Sequence, residues 1–282
     1  MKIAAIISKP AKPELAEIVP EALHWLAAHD YRVYIDQQTA AYHTHEFVVP
    51  RTEIARYQPE FVLVLGGDGT LLSAARAVGV AEIPLLAVNL GSLGFLTEVR
   101  LDELYSTLTA VTEGLCPLES RALIQCRLLR DGQEIASYSA LNDAVIKSTV
   151  ARLISFELRV NGEHVVEYQA DGVIVATPTG STAYSLAAGG PVLMPSVDAI
   201  VLTPICPHSL THRPLVVGGS ASVSVRLNSG ANGALSVDGQ VGMPVVQGDQ
   251  LECSKAAHRV KLLRMRRSFF DILRSKLRWG QR

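Results

Sequence analysis

Apolar and polar positions recur along this chain with two different periods, and the change from one to the other falls near residue 120. Before it, residues 2–8, 61–65 and 83–89 are nearly unbroken apolar runs rich in Val, Ile and Leu, the pattern of strands buried on both faces. Residues 31–35 alternate as a further strand. Between the strands the spacing turns helical. Leu15, Ile18, Leu23 and Leu26 mark a helix over 13–28, which Pro20 is expected to kink. Leu71, Leu72, Ala75 and Val78 mark a second, and Leu104, Leu108 and Val111 a third over 101–113, with Gly114 as its C-cap. Residues 40–54 show little periodicity and read as loop, with His43 and His45 exposed. Strands alternating with helices predict an α/β N-terminal domain with a mostly parallel sheet, whose ligands bind beyond the carboxyl ends of the strands.

After residue 120 the runs shorten. Strands are expected at 123–129, 154–160, 173–176, 216–217, 221–227, 251–253 and 259–263. Asp131-Gly132, Asn161-Gly162, Asn232-Gly233 and Asp238-Gly239 separate them, and such dipeptides favour tight hairpin turns. A β-rich, mainly antiparallel C-terminal domain follows from this. Residues 268–280 form a basic amphipathic helix with Phe269, Phe270, Ile272, Leu273 and Leu277 on its apolar side. It is expected to pack on the first domain or on a partner subunit and to leave its arginines solvated. The predicted division is 1–118, 119–267 and 268–282.

Composition narrows the class. The 282 residues are 48% hydrophobic, enough for a large core, and the formal net charge of -1 argues against nucleic acid or another polyanion as partner. No stretch reads as a membrane span, and 1–8 is too short for a signal segment, so no membrane partner is expected. Cys116, Cys126, Cys206 and Cys253 are scattered, as reduced thiols of a cytoplasmic protein would be. Cys206, His208 and His212 lie close in sequence but lack zinc-type spacing, so no protein metal site is predicted there.

The candidate chemistry begins at Gly66-Gly67-Asp68-Gly69-Thr70, a glycine turn between a buried strand and a helix. Backbone N–H groups and a helix N-terminus at such a turn favour phosphate. The run is neither a Walker P-loop nor G-x-G-x-x-G. Asp68 would repel phosphate, so it is better suited to accept a proton from a hydroxyl, orient that hydroxyl or help hold a metal ion. Asp-Gly is also ordinary turn chemistry. A second glycine-rich loop spans 89–96. Asn142-Asp143 is suited to sugar hydroxyls, or is an Asx turn before a strand. Residues 171–191 carry Thr-Pro-Thr-Gly-Ser-Thr on a turn into a short helix, with Tyr184 to cover an aromatic base; the many small hydroxyls read as a binding loop. Asp238-Gly239-Gln240 is by itself a turn.

Taken together and in this order, these stretches resemble the NAD kinases, ATP-dependent enzymes that phosphorylate NAD to NADP. The first motif is shared with lipid kinases, whereas 171–191 is far more specific. The resemblance implies a cytoplasmic homodimer or homotetramer that uses ATP and NAD with a divalent cation, Mg²⁺. It makes Asp68 the catalytic base that engages the 2′-hydroxyl of the adenosine ribose. Gly66, Gly67, Gly69 and Thr70 would hold the ATP phosphates, Gly69 also lining the nucleotide pocket. Asn142 and Asp143 would bind NAD through ribose hydroxyls and adenine, and Asp171 would contact the nicotinamide half. Thr182, Ala183 and Tyr184 would wall the pocket, with Ser185, Leu186, Ala187, Gln169 and Gln240 adjoining. Family members often have Glu at the position of Asp143, a basic residue at Gln169, Ser at Ala187 and, in some, a basic residue at Ser73. Arg152 is expected to supply the missing positive charge. The rival readings are a lipid kinase and a catalytically silent dinucleotide-binding regulator.

Overall fold

The computed structural model of the chain describes residues 1–91, 94–150, 153–209, 211–229, 233–264 and 268–278. The chain divides into two compact units, residues 1–120 with 259–282 and residues 121–258.

The first unit contains β1 (Lys2–Ser8), α1 (Leu15–Ala28), β2 (Tyr31–Asp36), β3 (Val48–Val49), β4 (Phe61–Leu65), α2 (Asp68–Val78), β5 (Leu85–Asn89), β6 (Val99–Arg100) and α3 (Leu104–Thr112). Its strands pair in parallel in the order β3-β2-β1-β4-β5. The order reverses direction between β1 and β4, and it is there that an open α/β sheet leaves a crevice at its carboxyl edge. β1, β4 and β5 are buried on both faces, as their unbroken apolar runs require. α1 covers the sheet with Leu15, Ile18, Val19, Ala22, Leu23 and Leu26, and Pro20 lies within the helix. The expected loop at 40–54 is more ordered than its pattern implies. It holds β3 and the start of a 3₁₀ segment, Arg51–Tyr57. His43 is exposed, but His45 is half-buried, with its Nε2 2.8 Å from the Val33 carbonyl and its ring edge-on to Phe47.

The second unit is antiparallel. Its strands are β7 (Leu118–Arg130), which starts in the first unit, β8 (Gln133–Ala140), β9 (Asp143–Ser148), β10 (Ile154–Val160), β11 (Glu163–Ala170), β12 (Gly172–Ala176), β13 (Ala199–Ile205), β14 (Leu215–Gly218), β15 (Val223–Ser229), β16 (Gly233–Val237) and β17 (Val241–Val245). A short helix, α4 (Tyr184–Ala187), follows β12. One sheet runs β14-β13-β12-β9-β16-β17, and Phe156, Leu158, Val173, Val175, Ile200 and Leu202 belong to one core that draws on both this sheet and the β10-β15 layer. Asp131-Gly132, Asn161-Gly162 and Asp238-Gly239 turn the β7-β8, β10-β11 and β16-β17 hairpins, each pair with positive φ at both positions. Of the fourth dipeptide, Asn232 lies outside the described residues, and Gly233 opens β16.

β18 (Gln250–Leu263) is one strand where the sequence pattern suggested two, and it runs through the boundary at His258 and Arg259. Its last residues pair in parallel with β5, Leu262 opposite Leu85. The first unit therefore reclaims the chain well before residue 268. α5 (Phe269–Leu277) belongs to that unit and is capped by Ser268, whose Oγ accepts from Phe270 N at 3.2 Å. It buries Ile272 and Leu273, while Phe270 stays exposed. Residues 279–280 of the expected helix lie outside the described residues.

Candidate active site

The crevice at the carboxyl edge of the first sheet is a cavity of about 300 Å³. The ends of β1, β4 and β5 contribute Lys9, Gly66 and Asn89 to its lining. α2 starts at Asp68 with Gly67 as an extended N-cap, so the positive end of the helix dipole faces this space. Gly69 is exposed and Thr70 half-buried on the first turn, beside the lining rather than in it.

Asp68 is gripped by the second glycine loop. Its Oδ1 accepts from Leu96 N at 3.1 Å, Thr97 N at 3.0 Å and Thr97 Oγ1 at 2.9 Å. Its Oδ2 accepts from Phe95 N at 2.9 Å. The two oxygens thus differ. Oδ1 is saturated, whereas Oδ2 has one donor among the described residues and keeps accepting capacity. Thr97 Oγ1 in turn accepts from Asn89 Nδ2 at 2.7 Å, and Asn89 Oδ1 accepts from Gly91 N at 2.7 Å, so β5 sets the loop that sets the acid. A Cβ on Gly94 would lie 2.0 Å from Asp68 Oδ1, and only glycine allows the loop this approach. Glu98, next along the loop, is buried in an ion pair with Arg264 at 2.6 Å.

Sequence reasoning missed the cations here. Lys9, Lys12 and Lys276 all line the cavity. Nearby, Arg51 bridges Asp36 (2.6 Å) to Ser73 Oγ (2.7 Å), so a guanidinium stands beside Ser73.

In the second unit a cavity of about 310 Å³ gathers Asn142, Asp143, Lys147, Ala183, Tyr184 and Asp238 in its lining. Asp143 opens β9, pairs with Ala176 of β12, and is 4% exposed. Burial, with the Asp238 charge adding to it, pushes its carboxyl up to about 7. Asp238 is more than a turn residue. Its carboxylate accepts from the backbone N–H of Leu141 (3.1 Å), Asn142 (2.7 Å) and Asp143 (3.2 Å), and so holds the segment that presents the candidate pair.

The hydroxyl-rich loop turns several of its small hydroxyls inward. Thr177, Thr179 and Ser181 are buried. Thr177 Oγ1 donates to the Leu141 carbonyl, and Ser181 Oγ donates to the Pro178 carbonyl and accepts from Leu193 N. Gly180 packs so closely that a Cβ would lie 2.0 Å from the Asn142 carbonyl. These hydroxyls satisfy backbone groups of a buried loop, and the loop in turn seats Asn142. Ser185 is likewise buried, its Oγ 2.8 Å from Thr203 Oγ1. Tyr184 is 42% exposed and lines the cavity with Ala183; Thr182 and Leu186 are half-buried and Ala187 is exposed. Gln169, Asp171 and Gln240 are exposed and do not line this cavity. Arg152 lies outside the described residues. His212 packs its ring on Tyr168, and among the described residues no three His, Cys, Asp or Glu side chains gather as a metal site.

The chain matches two family models, the ATP-NAD kinase N-terminal domain over residues 4–116 and the ATP-NAD kinase C-terminal domain over residues 141–265. It is 59% identical to the NAD kinase of Koribacter versatilis and 48% identical to that of Acidobacterium capsulatum, with both chains fully covered in each case. Among solved structures it resembles yeast NADH kinase complexed with NADH, at 27% identity and a TM-score of 0.89 over all of this chain and 89% of that one. It shares its fold with an NAD kinase from Archaeoglobus fulgidus in complex with ATP, TM-score 0.80, over 97% of this chain and 98% of that one. Two matched domains in the family's order, and relatives alike from end to end, place this chain in the NAD kinase family of phosphotransferases.

Proposed function

We propose that the chain moves the γ-phosphate of ATP to the 2′-hydroxyl of the adenosine ribose of NAD, with Asp68 as the group that engages that hydroxyl. The observation that carries this reading is the asymmetric hold on Asp68: four donors fix the carboxylate, yet Oδ2 takes only one of them among the described residues. Oδ2 can therefore accept the hydroxyl proton without the loop releasing its grip. Phosphoryl transfer leaves little covalent work for a protein, so orienting the nucleophile and neutralising phosphate charge supply most of the acceleration. Gly66, Gly67 and the start of α2 face the donor phosphates, with Gly69 and Thr70 adjoining.

In the second unit Asn142 and Asp143 hold ribose hydroxyls and Tyr184 offers a ring face to the base. Lys147, in the same lining, supplies a cation for the pyrophosphate. Asp171 and Gln240 would contact NAD from outside this cavity. Mg²⁺ enters with ATP, since it binds chiefly through substrate phosphates and one or two carboxylates; when bound it spreads the developing phosphoryl charge. The free cysteines support a cytoplasmic location, and among the described residues no helix is long and apolar enough to cross a membrane. Assembly as a homodimer or homotetramer is the family's habit and is checked by light scattering. The direct test is purified protein with ATP, Mg²⁺ and NAD, NADP being read by an NADP-specific dehydrogenase. NADP formation is expected; its absence with NAD binding intact would favour the silent regulator.

A further inference from the structure

Lys276 lies in the last turn of α5, three residues after Leu273 and four after Ile272, so it shares the face by which the helix is seated. Those two side chains are buried and Lys276 is half-buried, whereas Arg274 points away, exposed and paired with Asp271. The seated face thus carries an ammonium group to the glycine-loop cavity, which Lys276 lines.

Lys9 and Lys12 are delivered there by fixed backbone. Lys9 N donates to the Leu65 carbonyl at 2.9 Å, next to Gly66. Tyr42 ties the two together: its hydroxyl accepts from Lys12 N at 2.9 Å and donates to the Lys9 carbonyl at 2.8 Å. Among the described residues no carboxylate lies within ion-pair distance of Lys9 or Lys276. Among the described residues Lys12 pairs with Glu14, at 3.5 Å and partly exposed. The acid in the lining, Asp68, is turned to the loop donors. Three ammonium groups therefore converge on glycine backbone and a helix N-terminus, two of them without a carboxylate in ion-pair reach among the described residues, an arrangement that a polyanion of closely spaced charges stabilises.

We propose that Lys276 of the C-terminal helix, with Lys9 and Lys12, completes the subsite for the donor's polyphosphate chain. This rests on the kinase reading and adds to it a residue near the end of the chain, about 200 positions from the glycine motif.

The test compares Lys276→Met, which keeps an apolar stem without charge, with Lys276→Arg and with Arg274→Met on the same helix. KM for ATP should rise about tenfold or more in Lys276→Met, the size of one lost charge-assisted contact, and recover largely in Lys276→Arg. KM for NAD and the melting temperature should hold, and Arg274→Met should change neither KM. An unchanged KM for ATP, or a parallel rise in both KM values with a lowered melting temperature, overturns the proposal. Calorimetry with inorganic tripolyphosphate separates the subsite from the reaction. If the wild type makes no NADP but binds tripolyphosphate and Lys276→Met does not, the kinase reading fails and the subsite stands. If NADP is made and tripolyphosphate binding ignores the substitution, the subsite fails and the kinase reading stands.

Discussion

Two cavities of similar size, one in each unit, are lined in opposite ways. That of the first unit is built from backbone and ammonium groups: glycines at strand ends, a helix N-terminus and Lys9, Lys12 and Lys276. Its acid, Asp68, is fixed by the N–H groups of Phe95, Leu96 and Thr97. That of the second unit is built from carboxyl, amide and aromatic groups, with Asp143 and Asp238 near each other and Lys147 beside them. The first suits a chain of phosphates. The second suits hydroxyl groups and a base, since carboxyl groups accept from hydroxyls and a ring stacks on a ring. On the proposed reading, the first unit takes the donor's phosphates and the second the accepting nucleotide.

The contrast can be broken at either cavity. The largest effect is expected at Gly94→Ala, where the new Cβ meets Asp68 Oδ1 at 2.0 Å and must unseat the loop or the acid. We expect kcat to fall by about 10²-fold to 10³-fold, roughly 3–4 kcal/mol of barrier, while NAD binding persists; steady-state kinetics with calorimetry checks both. Next comes Asp238→Ala, which strips three backbone N–H groups of their acceptor. Buried donors left unpaired cost about 1–3 kcal/mol each, offset in part by relief of Asp143, so a loss of roughly 2–3 kcal/mol in urea unfolding is expected.

Asp143→Asn sharpens the contrast through pH. The Asp143 carboxyl is held at about 7 in the folded chain, against roughly 3.9 when unfolded. Between those values the folded state binds more protons, so stability from this group is present at low pH and is lost as pH rises towards 7. Asn mimics the neutral acid. The substitution should stabilise the protein by up to ~4 kcal/mol at pH 8 and by about a third of that at pH 5, where roughly one of the three pK units has been crossed. Melting curves across that range give the answer, and a pH-independent difference would contradict the coupling. The smallest effect is expected at Arg274→Ala, which removes an exposed pair with Asp271. Its cost should be below about 0.5 kcal/mol, in contrast with the kinetic effect of Lys276 two residues on.

Much of the fold was legible because its signals are local. Buried parallel strands carry unbroken apolar runs, and three hairpins announced themselves through Asp-Gly or Asn-Gly pairs that reach positive φ. β8 and β11 were not legible, since most of their side chains face solvent and leave no apolar run. β18 read as two strands because Ser254 and Lys255, in its middle, are exposed. The same reading drew the last domain boundary too late.

At the sites, Asp68 stood out as an acid where glycine and phosphate chemistry would not call for one. The lysines did not, because a pocket lysine and a solvated one look alike in sequence. Asp238 was hidden for a related reason: its partners Leu141 to Asp143 are 95 to 97 positions away. The inward turn of the hydroxyls at 177–181 was not legible because buried loop backbone and a polar ligand call for the same residue types.

The most direct test of the whole account is Asp68→Asn, assayed for NADP formation at saturating ATP and NAD alongside calorimetric titration with NAD. The amide keeps an acceptor for the loop but cannot take the hydroxyl proton. The account predicts a fall in kcat of about 10² or more, with NAD binding within about threefold of wild type, less than 1 kcal/mol. Near-normal turnover in that variant would contradict it.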